Sequence, residues 1–183
     1  MPELKRGNPK AFETIGLKLK ALAGLTGRVG WFEDSKYDDG TPVAYVAALN
    51  ELGHGKTPPR PFMRPTAIAE RDAWIEVAAR GARAVVAGSA NPRQVMEQLT
   101  SKAEADVRDA ILALTEPALS PITIELRAMK KRDPNLRVTG ATVGEAARKV
   151  AQPGYVTPNV STKPLIDTDV MERTLTSKVE SSQ

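Results

Sequence analysis

The residues best suited to chemistry sit together in Gly53-His54-Gly55-Lys56-Thr57. A Gly-Lys-Thr ending suggests a phosphate-binding loop, in which backbone amides and the lysine cradle phosphate and the threonine opens a helix. That loop also requires a glycine at position 50, where this chain has Asn50. Pro58 and Pro59 follow the threonine, removing two amides and blocking entry into a helix. Both physical requirements of the motif fail. His54 is the single histidine, and nothing pairs with it at the spacing of a metal site or supplies the nucleophile and orienting group that a catalytic base needs. Glu125, Asp133 and the other acids are scattered. The absence of cysteine excludes disulfides, thiolate metal sites and cysteine nucleophiles. Enzyme readings fail for lack of parts, so neither cofactor nor metal is expected.

Pro58-Pro59-Arg60-Pro61-Phe62 is more informative. Proline on both sides restricts Arg60 to extended backbone, which holds its guanidinium and the Phe62 ring in a fixed relation at low entropic cost. Such a segment suits a two-pronged ion pair or the seating of an aromatic anchor, and equally a stiff connector into the next helix. Glu51 is the candidate partner for Arg60. With Gly53, Pro59, Pro61 and Phe62 these residues form a structural or interface motif.

Several helices must carry this motif. Asn8-Pro9 is a cap followed by proline at the first helical position, and Phe12, Ile15, Leu19 and Leu22 then fall on one face before Gly24. Arg28 to Glu33 alternates as a strand, and Tyr37-Asp38-Asp39-Gly40 is a turn. Pro42 to Leu52 reads as a short helix or a strand, with helix favoured, while the Gly and Pro content of 53–61 ends regular structure. A long helix from about Pro65 to Ala87 carries the stripe Ile68, Ile75, Ala82 and Val86. Asn91-Pro92-Arg93-Gln94 opens another, with Val95, Leu99, Ala103, Val107, Ile111 and Leu114 as its stripe. Ser120-Pro121 opens a third, bearing Ile122, Leu126 and Met129. From Asp133 to about residue 161 the texture becomes that of a loop or arm, around one amphipathic piece from Val143 to Ala151. Asp167 is expected to cap a helical turn, and Thr174 to Val179 to close the chain as a strand paired antiparallel with Arg28 to Glu33. The expected fold is α+β: a small antiparallel sheet packed by several helices, some long and amphipathic, in a single domain over 1–183 with an extended arm at about 133–161.

Hydrophobic residues are 41% and charged residues 26% of the chain, which is ordinary for a globular protein. With only two Trp, three Tyr and three Phe, the core must rely on aliphatic residues, which leaves room for oligomer contacts to add stability. The net charge of +4 permits contact with DNA, but the basic residues are spread among acids and not gathered on one face. No apolar run approaches the roughly 18 residues of a membrane span, and no apolar signal core follows the charged N-terminus. A soluble protein made in the cytoplasm is expected.

Three stretches, taken in order, form a pattern. The first is Trp31-Phe32, Tyr37 through Gly40, and Val43-Ala44-Tyr45-Val46-Ala47 leading to Asn50-Glu51-Leu52-Gly53. The second is Pro58-Pro59-Arg60-Pro61-Phe62-Met63-Arg64. The third is Leu119-Ser120-Pro121-Ile122-Thr123-Ile124 with Thr162-Lys163-Pro164-Leu165-Ile166-Asp167-Thr168. Each stretch alone is weak; the ordered set, from Val29 to Val179, resembles the phage virion-morphogenesis and tail-completion proteins. Asp169 departs from it, standing where that pattern usually has Gly, and the stretch from Asp133 to Ser161 looks like an expansion.

The resemblance implies a structural virion protein made in the host cytoplasm, an α+β subunit of a ring, commonly sixfold, in the neck or at the head-proximal end of the tail. It implies contacts with copies of itself and with neighbouring neck, connector or tail-tube proteins, and non-specific contact with DNA in the channel. Pro164, Leu165, Asp167 and Thr168 join the interface motif on the same ground. The rival from another class is a small basic DNA-binding protein, which a salt-dependent affinity for free duplex would distinguish.

Overall fold

A computed structural model describes residues 9–55 and 57–182. The Asn8 cap and Lys56 lie outside the described residues. The elements in chain order are α1 (Pro9–Ala23), β1 (Leu25–Gly30), α2 (Val43–Leu52), α3 (Met63–Ala69), α4 (Arg71–Ala87), α5 (Pro92–Ala113), α6 (Pro121–Arg132), α7 (Gly140–Val150), α8 (Val170–Arg173) and β2 (Thr176–Ser181). The fold is α+β, with a two-stranded antiparallel sheet among many helices. The chain divides into two compact units. One takes the residues up to Asp34, Met63–Asp109 and those from Leu175 onward; the other takes Ser35–Phe62 and Ala110–Thr174.

In the first unit, β1 and β2 pair from Leu25↔Ser181 to Gly30↔Thr176. The expected pairing of the two ends is present, but β1 begins at Leu25, not Arg28, and stops before Trp31. Gly24 ends α1, and its carbonyl accepts from Ser182 N–H at 2.8 Å, so the ladder starts as soon as the helix stops. α1 packs on α4, where Lys18 Nζ donates to Val86 O at 3.0 Å. α4 and α5 approach closely at Gly81: a Cβ there would lie 2.1 Å from Val95 Cγ1. On α5, Asn91 Oδ1 accepts the Arg93 amide at 2.8 Å. The expected α5 stripe is largely inside, with Val95, Ala103, Val107 and Ile111 buried.

The long helix expected from Pro65 to Ala87 is broken at Glu70 (φ −94°, ψ 1°) into α3 and α4. The expected stripe fails: Ile68 is 78% and Ile75 54% exposed. Thr66 and Val85 are buried in its place, and half-buried Trp74 donates its indole N–H to Asp106 Oδ2 at 2.7 Å.

In the second unit, the Tyr37–Gly40 turn closes through Gly40 N–H to Tyr37 O at 2.9 Å, and α2 is helical as expected. Ser120 caps α6 by accepting the Thr123 amide at 3.1 Å. The buried face of α6 is not Ile122, Leu126 and Met129 but Ile124, Glu125 and Ala128; a purely apolar reading of the helix steers away from the face that carries a buried carboxylate. The segment expected as an arm contains α7, which is capped by a Thr139–Thr142 box and packs on α6 with Ala146 fully buried. The stretch from 133 to 161 is bonded back onto the unit because α6 offers it polar partners as well as surface. The short turn α8 starts from Asp169 at φ 57°, so Asp167 is not its cap.

Candidate functional site

The second unit brings the two interface stretches to one cleft. α2 ends at Gly53 (φ 77°), where a Cβ would stand 2.9 Å from Pro59 N and 3.0 Å from Thr57 O. Glycine is required by both the backbone conformation and the close return of the chain. His54 and Thr57 exchange amide-to-carbonyl bonds of 3.1 and 2.9 Å, so the glycine-rich stretch is a tight turn whose two end amides are spent on each other. The proline segment then runs back along α2, with Arg60 N–H on Asn50 O at 2.7 Å.

Arg60 is 5% exposed, and its guanidinium is two-pronged as expected, but its partners are different. Nε donates to Pro117 O at 2.7 Å and Nη2 to Ala118 O at 3.1 Å. Glu51, the expected partner, instead accepts the Phe62 amide on Oε2 at 2.7 Å. The reason is geometric. The extended segment that aims Arg60 at the loop before α6 turns the backbone of Phe62, not the guanidinium, towards α2. Phe62 is 1% exposed, a core residue. Pro59 and Pro61 hold Arg60 between them.

The other side of the cleft is organised by Arg127 on α6. Nη1 donates to the carbonyls of Ser161, Lys163 and Ile166 at 2.9, 2.8 and 3.0 Å, and Nη2 to that of Pro164 at 3.1 Å. Nε lies 3.4 Å from Asp167 Oδ1. Burial and the nearby Arg60 pull the Arg127 pKa down, while Asp167 pulls it up. This one side chain therefore folds the Pro164–Asp167 loop around itself and leaves Leu165 buried. Thr168 and Tyr37 face an open cleft of about 240 Å³ beside it. Burial, then Asp167 and Asp39, push the Tyr37 hydroxyl above its ordinary value. A wider cleft of about 560 Å³ is lined by Arg60, Pro58, Arg127, Pro164 and Asp167 together.

A second buried charge on α6 anchors α7 and the turn beyond it. Glu125 is 1% exposed and accepts from Lys149 at 2.5 Å, Arg132 at 3.1 Å and Tyr155 at 3.2 Å. Burial opposes its ionisation, but the hydrogen bonds from Lys149 and Tyr155 and the charges of Lys149 and Arg132 outweigh it, holding the carboxyl below the ordinary range. Neither Arg127 nor Glu125 stood out in the sequence. Their one trace is that α6 has too few apolar residues on a single face to bury that face with hydrocarbon alone.

Arg60 and Arg127 both spend their donors on backbone carbonyls, an arrangement that fixes loops. Among the described residues there is no group of three or more His, Cys, Asp or Glu placed to hold a metal ion, and no helix long and apolar enough to cross a membrane. Comparison of the chain with protein-family models, with curated proteins and with solved structures finds no match.

Proposed function

We propose that this chain is a structural subunit of a tailed-phage virion that forms a ring in the neck or at the head-proximal end of the tail. It acts there by self-association, as a hexamer, and by docking to neighbouring neck, connector or tail-tube rings. The observation that carries the reading is an apolar helix stripe left uncovered. On α1, Phe12 is 66% and Leu19 43% exposed, although their spacing places them on one face with Ile15. Ile68 and Ile75 on α3 and α4 are uncovered too. Large apolar side chains left exposed on one helix face suit a contact face, and heterologous contacts repeated by rotation close into a ring. The ordered resemblance supports the same reading, since its Arg60 and Pro164–Thr168 stretches form a rigid, carbonyl-locked scaffold suited to presenting an interface.

Native mass spectrometry and negative-stain imaging of the full-length chain test this. A closed assembly of one stoichiometry is expected, and the Phe12→Asp/Leu19→Asp variant should dissociate it while keeping its helical circular dichroism. A chain that stays monomeric at every concentration and instead binds duplex DNA with a steep salt dependence would replace this reading with that of a basic DNA-binding protein.

A further inference from the structure

The two edges of the sheet are not equivalent. Gly24 and Ser182 are a hydrogen-bonded pair, since Ser182 N–H donates to Gly24 O at 2.8 Å. By the alternation of antiparallel ladders, Thr26↔Glu180 and Arg28↔Lys178 also bond, and the odd-numbered residues turn their N–H and C=O outward. On β2 that edge is obstructed: Val179 O accepts from Arg93 Nη2 at 3.2 Å, and Arg93 is itself held by Glu97 at 3.0 Å. On β1 the outward groups belong to Leu25, Gly27 and Val29, which have no backbone partner among the described residues. Gly27 is exposed even though its Cα side is closed, a Cβ there lying 2.3 Å from Thr100 Cγ2. Its exposure is therefore that of its backbone, away from α5. An unpaired strand edge is a template for a further strand.

We propose that the β1 edge pairs antiparallel with β1 of a second copy, centred on Gly27, to give a four-stranded sheet in the order β2-β1-β1-β2. The sequence of β1 is self-complementary in this register. The three outward residues are symmetric about Gly27, so Gly27 meets Gly27 and Leu25 meets Val29 of the second copy, twice. Both apolar residues lie on the face packed against α5, so each meeting is a cross-strand apolar pair on the covered side. On the solvent side Thr26 meets Arg28 of the second copy, and no like charges stand opposite each other. Sliding the register by two residues would put Arg28 beside Arg28 or set Thr26 on Thr26 with fewer bonds, which favours the centred pairing. The contact is twofold and isologous, distinct from the apolar face of α1. It stands whether or not that face builds a ring.

The chain has no cysteine, so the test is clean. Thr26 and Arg28 of the second copy form a non-hydrogen-bonded pair about 4.5 Å apart, within disulfide range. The Thr26→Cys/Arg28→Cys variant should oxidise to a covalent dimer, while Thr26→Cys alone should not. In sedimentation, Thr26→Arg sets two like-charge pairs across the contact and should weaken dimerisation about tenfold, and adding Arg28→Glu should restore it. No covalent dimer from the double cysteine variant, or dimerisation unmoved by Thr26→Arg, overturns the proposal. Loss of the α1 contact through Phe12→Asp/Leu19→Asp with the covalent dimer intact would count against the ring alone.

Discussion

The two units use charge to different depths. In the first, most ion pairs close over one helical turn or across the sheet and are open to solvent or half-buried: Arg93–Glu97 and Arg28–Glu180 are exposed, Arg108–Glu104 is partly buried, and Lys102 reaches across from Asp106 to Glu70 at 3.7 Å. The exposed pairs contribute roughly 0–1 kcal/mol each, and cohesion comes from the close approach of α4 to α5 at Gly81 and of β1 to α5 at Gly27. In the second, Arg60, Glu125 and Arg127 are almost inside, and each grips loop backbone or residues distant in sequence. A unit rich in Pro and Gly has little regular structure with which to satisfy its own carbonyls. Buried cations serve that purpose, and their geometry sets the shape of the loops.

The sharpest way to break this contrast is Arg127→Ala. It removes a donor from four carbonyls and leaves those of Ser161 and Pro164 without one among the described residues, while Ile166 O keeps the Ser161 hydroxyl and Lys163 O the Ile166 amide. It should destabilise the second unit by about 3–5 kcal/mol, read as a lower denaturation midpoint. Arg127→Lys should recover only a minor part, because an ammonium lacks the planar fork. If the contrast is false, Arg127→Ala will melt like a surface substitution.

Gly81→Ala probes the other side. Its methyl group would overlap Val95, so a loss of about 1–3 kcal/mol is expected from a change that adds one carbon in a helix, where alanine is otherwise preferred. Pairing it with Val95→Ala should recover much of the loss, measured by a double-mutant thermal unfolding cycle.

Glu125 gives the contrast a pH signature. Its carboxyl lies below the ordinary 4.5 in the folded chain. The stability it adds is therefore complete above that value and is lost as pH falls through the folded pKa. Unfolding followed from pH 6 downward should steepen below about 4.5, and Glu125→Gln should remove that part of the slope and cost about 1–3 kcal/mol at neutral pH. An unchanged acid slope would show that the Lys149 and Tyr155 contacts do not stabilise the ionised form.

The smallest expected effect is at Asp169, the one described non-glycine residue with positive φ. Glycine escapes the Cβ penalty of this conformation, so Asp169→Gly should be neutral or stabilise by up to about 1 kcal/mol. Asp169→Val should destabilise by about 1–2 kcal/mol, measured by chemical denaturation. The departure from the resembled pattern thus lies where the backbone itself favours glycine.

Local chemistry decided much of the outline. Ser120-Pro121, Asn91-Pro92, Gly53 and the Asp-Gly turn mark element ends through groups a few residues away, so they could be read in order along the chain. The antiparallel pairing of the chain ends was legible for the same reason, as two short alternating runs bounded by breakers. The tertiary structure alone decided which helix faces went inside. The break at Glu70 interrupts a helix that looked continuous, and α6 buries Glu125 because Lys149 and Tyr155 arrive from later in the chain to join Arg132, on α6 itself, in neutralising and bonding it. The partners of Arg60 were hidden likewise. Prolines dictate that the residue is held extended, but its guanidinium meets carbonyls more than fifty residues away, and no local pattern encodes a contact between one side chain and a distant backbone.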